Sequence, residues 1–155
     1  LTSECKVGVT RQSQIPIRWA DQGAEKALII ATTPNRYTAG LIEVALKKHV
    51  PDKTNWRAML TGSAPQNVNL YEMRDNLIKT LPDHLKKHID NSQTVFSIQY
   101  PLLEYPTKVT SIDLEKTPMI KDKLIGVKGQ YLIFHGGDVL NIRKHGGYNC
   151  TVTVG

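Results

Sequence analysis

The spacing of apolar residues changes along the chain, from helical periodicity to strand-like alternation. Leu70, Met73, Leu77 and Leu81 recur at spacings of three and four, which predicts an amphipathic helix over residues 68–81. From residue 94 onward the pattern changes to short strand-like segments, the first two of which, 94–100 and 108–114, alternate apolar with polar residues. We predict strands at 94–100, 108–114, 123–128, 130–135, 139–144 and 148–154.

Glycine pairs separate some of these predicted strands. Gly136-Gly137 and Gly146-Gly147 are typical of the tight turns that connect antiparallel neighbours. Short strands at such regular spacing favour an antiparallel sheet that curls toward a small barrel.

The first half of the sequence predicts shorter elements that mix helix and strand. In order, we predict a strand at 6–10, a helix at 15–20, a buried strand within 25–32, a helix at 34–49, and helical segments at 57–60 and 83–89. The fold class is therefore α+β. We expect three parts, an α/β unit at 1–65, a helical connector at 66–91 and an antiparallel β module at 92–155.

The helix predicted at 34–49 carries one acid, Glu43, in an apolar middle. Thr33 is a natural N-cap, Pro34 suits the first helical position, and Pro51 ends the helix. A carboxylate among apolar neighbours needs a partner or a ligand. Two interpretations remain open, a structural ion pair with Arg18 or a metal or phosphate site.

The charge of the chain favours a polyanionic partner over a membrane. Net charge is +6 with a pI near 9.3, and the longest apolar run, residues 27–31, has five residues, against the roughly 18 of a membrane span. The two cysteines are too far apart for a metal motif, so we expect a reducing, cytoplasmic location. The chain begins at Leu1 rather than Met, which we interpret as a missing upstream segment. The basic residues that could contact nucleic acid are Lys6, Arg11, Lys47, Lys48, Lys53, Arg57, Arg143 and Lys144, although solvated basic faces would give the same pattern.

Three residues of the first half have the chemistry of a phosphodiester site. Arg18 could hold a phosphate bidentately, Glu43 could bind Mg²⁺ or Mn²⁺, and the Asn55 amide could orient either group. The alternatives are that Arg18 stacks on Trp19 and that Asn55 only caps a helix. His84 and His88, four residues apart, are interpreted as a solvated basic face rather than a zinc site.

These residues resemble the pattern of the GIY-YIG nucleases. The resemblance rests on Lys6-Val7-Gly8-Val9-Thr10, Arg18, residues 39–46 around Glu43, and Asn55. It implies Arg18 on the scissile phosphate, Glu43 on one divalent metal and Asn55 as a supporting residue. Lys6 stands where the family has tyrosine, and the first half-motif would lie upstream of Leu1, so Tyr37 is the candidate replacement for that tyrosine.

Nearly the whole chain also resembles a family of uncharacterised bacterial proteins. The match lies in segments such as Gly8-Val9-Thr10-Arg11, Thr54-Asn55-Trp56 and residues 129–134 and 141–145. This second resemblance brings no established activity, so function is argued from the charge and the site. From these we expect a protein that binds nucleic acid, DNA or RNA, with metal-dependent phosphodiester cleavage as the further expectation. The alternatives are an inactive nucleic-acid-binding module and a structural domain that contacts an acidic protein.

Overall fold

Five α-helices and six β-strands form the described part of the chain, residues 4–51, 54–63 and 68–155 of a computed structural model. The helices are α1 (Ile17–Asp21), α2 (Arg36–Leu46), α3 (Trp56–Leu60), α4 (Leu70–Thr80) and α5 (Asp83–Lys86). The strands are β1 (Lys26–Leu28), β2 (Val95–Ser97), β3 (Thr110–Ser111), β4 (Leu124–Lys128), β5 (Tyr131–Phe134) and β6 (Asp138–Asn141). Two 3₁₀ turns, Gln12–Gln14 and Ile142–His145, complete the order. The predicted α+β class is confirmed.

The strands form two sheets, and the larger one is mixed rather than antiparallel. Its order is β3-β6-β5-β4, with β3 parallel to β6 and the other pairs antiparallel. β2 is not part of this sheet. It pairs antiparallel with β1 in a second, two-stranded sheet, in which Ala27 lies opposite Phe96. The expectation of an antiparallel module is wrong at the β3–β6 pair, which is parallel. The sheet is also not a closed barrel, because its two edge strands, β3 and β4, do not pair with each other.

The two glycine pairs have different roles. Gly137 closes the β5–β6 hairpin with φ of +86°, and a Cβ there would lie 2.5 Å from the carbonyl oxygen of Lys108. Only glycine tolerates both conditions. Gly146 and Gly147 follow the second 3₁₀ turn, and residues 148–154 form no strand, so the second predicted hairpin is wrong.

The cores explain how the helices are placed. α2 packs on α4 and α5 through Ile42, Leu46, Leu77, Leu81 and Leu85. α3 instead packs on the larger sheet, where its buried Met59 and Leu60 join one apolar residue each from β4, β5 and β6 and Val109. The helix predicted over 68–81 is confirmed as α4. The boundaries expected at residues 65 and 91 stay a prediction.

Helix α2 starts two residues later than predicted. Its N-cap is Asn35, whose Oδ1 accepts a hydrogen bond of 2.9 Å from the backbone N–H of Thr38. Thr33 lies outside the helix and donates its hydroxyl to the carbonyl of Asn35. Asn35 is as good a cap as threonine or better, and it leaves Pro34 before the helix. The helix ends at Leu46, short of the predicted His49.

A buried lysine joins the two halves of the chain. Lys128 of β4 is 1% exposed, and its ammonium forms an ion pair with Glu25 and donates to the Tyr105 hydroxyl at 2.9 Å. Burial alone would raise the pKa of Glu25, but the hydrogen bond and charge of Lys128 outweigh it and hold this pKa below its usual value. Nearby, the Tyr100 hydroxyl donates to the carbonyls of Ala20 and Ala24, and burial raises the pKa of Tyr100.

Candidate functional site: a cavity between the N-terminal segment and helices α1, α2 and α4

A cavity of about 630 Å³ lies next to the inner face of α2, and we name it the N-terminal cavity. Its walls are the irregular segment 5–10, helix α1, strand β1 with the residues that follow it to Thr33, and helices α2 and α4. The strand predicted at 6–10 is wrong, because no other strand in the described part of the chain pairs with this segment. The segment lines the cavity instead.

Most of the wall is apolar. The same helix faces that build the core between α2 and α4 continue into the cavity, so a ligand there would contact mainly aliphatic side chains. The residues concerned are Ile29, Ile30, Ala39, Ile42, Leu46, Leu70, Met73 and Leu77.

Five charged residues interrupt this apolar wall. Lys6, Arg18 and Glu43 were predicted from sequence, whereas Arg74 and Asp90 were not. The structure thus brings together three predicted residues that lie on three separate segments of the chain.

Arg18 is half-buried on α1. Its guanidinium makes no hydrogen bond or ion pair with any residue that the structure describes. The structural alternatives for Arg18 are wrong within the described residues, because Trp19 packs on Phe96 instead and Glu43 has a different partner. An arginine whose guanidinium N–H groups have no protein partner, and which lies next to a cavity, is well suited to bind an oxyanion.

Lys6 reaches the same cavity from the irregular segment. Its ammonium is half-buried and donates to Oε1 of Gln22 at 2.8 Å. Gln22 is the neutral residue that follows α1.

Glu43 lies on the cavity side of α2. Its carboxylate is 25% exposed and lies 3.4 Å from the ammonium of Lys47, one helical turn further on. A half-exposed pair of this kind is weak and can rearrange. The single carboxylate of Glu43 fits Mg²⁺ only if other ligands complete the coordination shell. Mg²⁺ commonly takes one or two protein carboxylates and completes its shell with water and substrate phosphate oxygens.

Arg74 is the residue that the sequence interpretation missed. It is 4% exposed, its Nη1 pairs with Asp75 at 2.9 Å, and its Nη2 donates to the backbone carbonyl of Asp90. Its Nε is fully buried and has no hydrogen-bond partner among the residues that the structure describes. The sequence contains a signal for its burial, because Arg74 falls on the apolar stripe of α4, between Leu70 and Leu77.

Asp90 lies on the same side of the cavity. Its carboxylate accepts hydrogen bonds from the N–H of Ser92 at 2.8 Å and from the hydroxyl of Thr32 at 3.1 Å. Hydrogen bonds from Ser92 lower the pKa of Asp90, with smaller contributions from Thr32 and the charge of Arg74. Asp90 is therefore ionised at neutral pH, and both of its oxygens already have partners.

Two residues predicted for the site lie elsewhere. Asn55 is not in the cavity wall; it caps α3, and its Oδ1 accepts from the N–H of Ala58 at 3.1 Å. The alternative that Asn55 caps a helix is confirmed. Tyr37 is 76% exposed on the outer face of α2 and is not in the cavity wall either.

The remaining predicted basic residues are spread over the surface. Lys47 and Lys48 follow α2, Arg57 lies over the ring of Trp56 at 4.3 Å, and Lys144 pairs with Asp113 at 2.9 Å. Arg11 and Arg143 are exposed at the two 3₁₀ turns, and Lys53 lies outside the described residues.

No preformed metal cluster accompanies the cavity. In the described ranges, no three side chains of His, Cys, Asp or Glu lie close enough together to hold an ion by themselves. A metal at Glu43 would therefore depend on the oxygens of its substrate.

The fold and cavity define an α+β protein with a mixed four-stranded sheet and a largely apolar cavity that contains three cations and two carboxylates. Among the helices of the described ranges, none combines the length and apolarity needed to cross a membrane. The chain belongs to the family described as "Protein of unknown function (DUF2797)", whose sequence profile matches residues 1–150. No curated protein and no solved structure matches it.

Proposed function

We propose that this protein binds nucleic acid through the N-terminal cavity, with Arg18 and Lys6 as the groups that contact a backbone phosphate. One observation carries the proposal. Arg18 has no partner among the described residues, and it lines the same cavity as Lys6 and Glu43. The net charge of +6 supports the proposal, since a cationic protein attracts a polyanion over long range.

Cleavage of the bound phosphodiester is the second part of the proposal. Arg18 would stabilise the charge that develops on the phosphate, and Glu43 would hold Mg²⁺ or Mn²⁺ together with water and phosphate oxygens. The metal would act as a Lewis acid on the phosphate oxygens. The resemblance of residues 39–46, Arg18 and Asn55 to the GIY-YIG pattern supports this assignment, while Asn55 would act only indirectly, by capping α3.

We also propose a cytoplasmic location. Cys5 and Cys150 are both free thiols, as expected in a reducing compartment. Burial raises the pKa of the Cys5 thiol, which keeps it protonated and unreactive.

Binding is tested by titrating labelled DNA and RNA, single-stranded and structured, over a series of salt concentrations. We expect affinity to fall steeply with salt, and Arg18→Gln to weaken binding about tenfold and to reduce the salt slope by about one. Arg36→Gln is the matched control, because Arg36 is an exposed cation of α2 outside the cavity wall. Absent or salt-independent binding, or equal effects of the two variants, would contradict the proposal.

Cleavage is tested with the same substrates and Mg²⁺ or Mn²⁺. Glu43→Gln should abolish it while leaving the fold intact, since the weak pair with Lys47 contributes only about 0.5 kcal/mol. Cleavage by the Glu43→Gln variant at the rate of the unchanged protein would refute the role of Glu43. Binding without any cleavage would leave the first part of the proposal standing and remove the second.

A further inference from the structure

We infer that the N-terminal cavity accommodates one unpaired nucleotide, with its phosphate at Arg18 and its base inside the cavity. This inference rests on the proposed function and names its substrate class. It distinguishes a protein that takes up a single base from one that follows the backbone of an intact duplex.

The size and lining of the cavity carry the first step. A volume of about 630 Å³ lies within the range of roughly 300 to 1,000 Å³ that is usual for small-molecule sites. The partly exposed apolar side chains of the wall, Ile29, Ile30, Ala39 and Met73, supply aliphatic surface for a flat base. A base that is paired and stacked in a duplex cannot enter such a space, so the base must be unpaired.

Arg74 supplies the second step. It lines the cavity, it is 4% exposed, and its Nε–H is a buried donor without an acceptor in the described ranges. A donor in this state is unfavourable, and it gains a hydrogen bond when a ligand brings an oxygen or nitrogen acceptor. Nucleobases carry such acceptors on their edges. Because protein atoms cover Nε, the base meets it only when the guanidinium rotates and releases its contact with Asp75 or with the carbonyl of Asp90.

The charges define the two ends of the ligand. Arg18 and Lys6 lie on α1 and the irregular segment, whereas Arg74 lies on α4, a different part of the wall. A ligand with an anionic end, an apolar flat body and a polar far edge satisfies all three, and a nucleotide has these features. The same chemistry is found in a free mononucleotide and in an unpaired residue of a strand.

The experiment therefore compares four probes on the complete protein. They are thymidine, thymidine 5′-monophosphate, a short single-stranded oligothymidylate, and the same oligonucleotide paired with its complement. Titration calorimetry measures the small probes, and fluorescence anisotropy measures the oligonucleotides. The variants are Met73→Trp, which fills the cavity, and Arg74→Met, which removes the inner cation. Arg36→Met is the matched control for lost charge, and thermal unfolding checks that each variant folds.

We expect the single strand to bind about tenfold more tightly than the duplex, because one enclosed base contributes a comparable amount. Met73→Trp and Arg74→Met should each remove about tenfold of the affinity for the single strand and leave duplex binding unchanged. If the Arg74→Met protein fails to fold, the effect of Met73→Trp on single-strand and duplex affinity tests the inference by itself.

Failure of this inference is separable from failure of the proposed function. If Arg18→Gln weakens binding of every nucleic acid but Met73→Trp changes nothing, the inference is overturned and the proposed function stands. Equal affinity for single strand and duplex also overturns it. If only the free mononucleotide binds, and Met73→Trp abolishes its binding, the nucleotide site stands and the proposed function fails.

Discussion

Replacing Glu25 by methionine should destabilise the fold far more than replacing its partner Lys128 by methionine. Both changes remove the same ion pair, but they leave different groups behind. Glu25→Met leaves the Lys128 ammonium in a site where this side chain is 1% exposed. Its remaining partners in the described residues are neutral, namely the Tyr105 hydroxyl and the rings of Tyr100 and Tyr105. Lys128→Met leaves a carboxylate that is 33% exposed and can be hydrated.

The magnitudes follow from this difference in exposure. An uncompensated charge left by breaking a buried pair costs about 3 to 5 kcal/mol, and the partial exposure of Glu25 places Glu25→Met near 3 kcal/mol. Lys128→Met keeps the apolar stem, and the Tyr105 hydroxyl keeps its hydrogen bond to Glu25, so about 1 kcal/mol is expected. The double variant should resemble Lys128→Met alone, because the charge that Glu25 compensates is then absent.

Urea unfolding followed by circular dichroism measures these free energies. Acid offers a second check, because the folded-state pKa of Glu25 lies below its usual 4.5. The contribution of Glu25 is therefore fully present at neutral pH and is lost as the pH falls below about 4.5 toward the folded-state pKa. The Glu25→Met protein should lack this part of the acid sensitivity. A smaller loss of stability for Glu25→Met than for Lys128→Met would refute the reasoning.

Three further outcomes test local features. Asn35→Ala should lower the unfolding free energy by about 1 kcal/mol, whereas Asn35→Asp, which keeps the cap of α2, should change it little; equal losses would contradict the cap. Nitrogen NMR should find neutral His145 protonated on Nδ1, because its Nε2 accepts the N–H of Leu114 at 3.2 Å, and an Nε2–H tautomer would be the contrary result. Gly137→Ala should lower the midpoint of urea unfolding clearly more than Gly136→Ala, since only Gly137 combines positive φ with a carbonyl at 2.5 Å from the added Cβ.

The elements that depend on local pattern could be predicted from the sequence. The apolar stripe of α4 repeats over three turns, so the helix can be predicted without knowing what packs against it. The β5–β6 hairpin likewise follows from a glycine pair between two short apolar segments. The cap of α2 was misplaced because Thr33 and Asn35 are both good caps, and only the observed bond to Thr38 separates them.

The elements that depend on distant partners could not be predicted. Residues 6–10 have the composition of a strand, but a strand needs a neighbour, and no described strand pairs with them. β2 is a short apolar segment like β4 and β5, yet it pairs with β1 in the other half of the chain. For the site, the sequence indicated Arg18, Lys6 and Glu43 through their chemistry. It did not indicate which of the other charged residues share their cavity, since that depends on how α4 is placed.

The pairing of β1 with β2 has a consequence for the order of folding. β1 ends at Leu28, and its partner ends at Ser97, so the ribosome must release most of the intervening chain before the pair can form. Strands β4, β5 and β6, in contrast, pair with neighbours only a few residues away and can form rapidly. Because β1 and the residues after it form one wall of the N-terminal cavity, that cavity takes its shape late in synthesis although its walls come mainly from the first half of the chain.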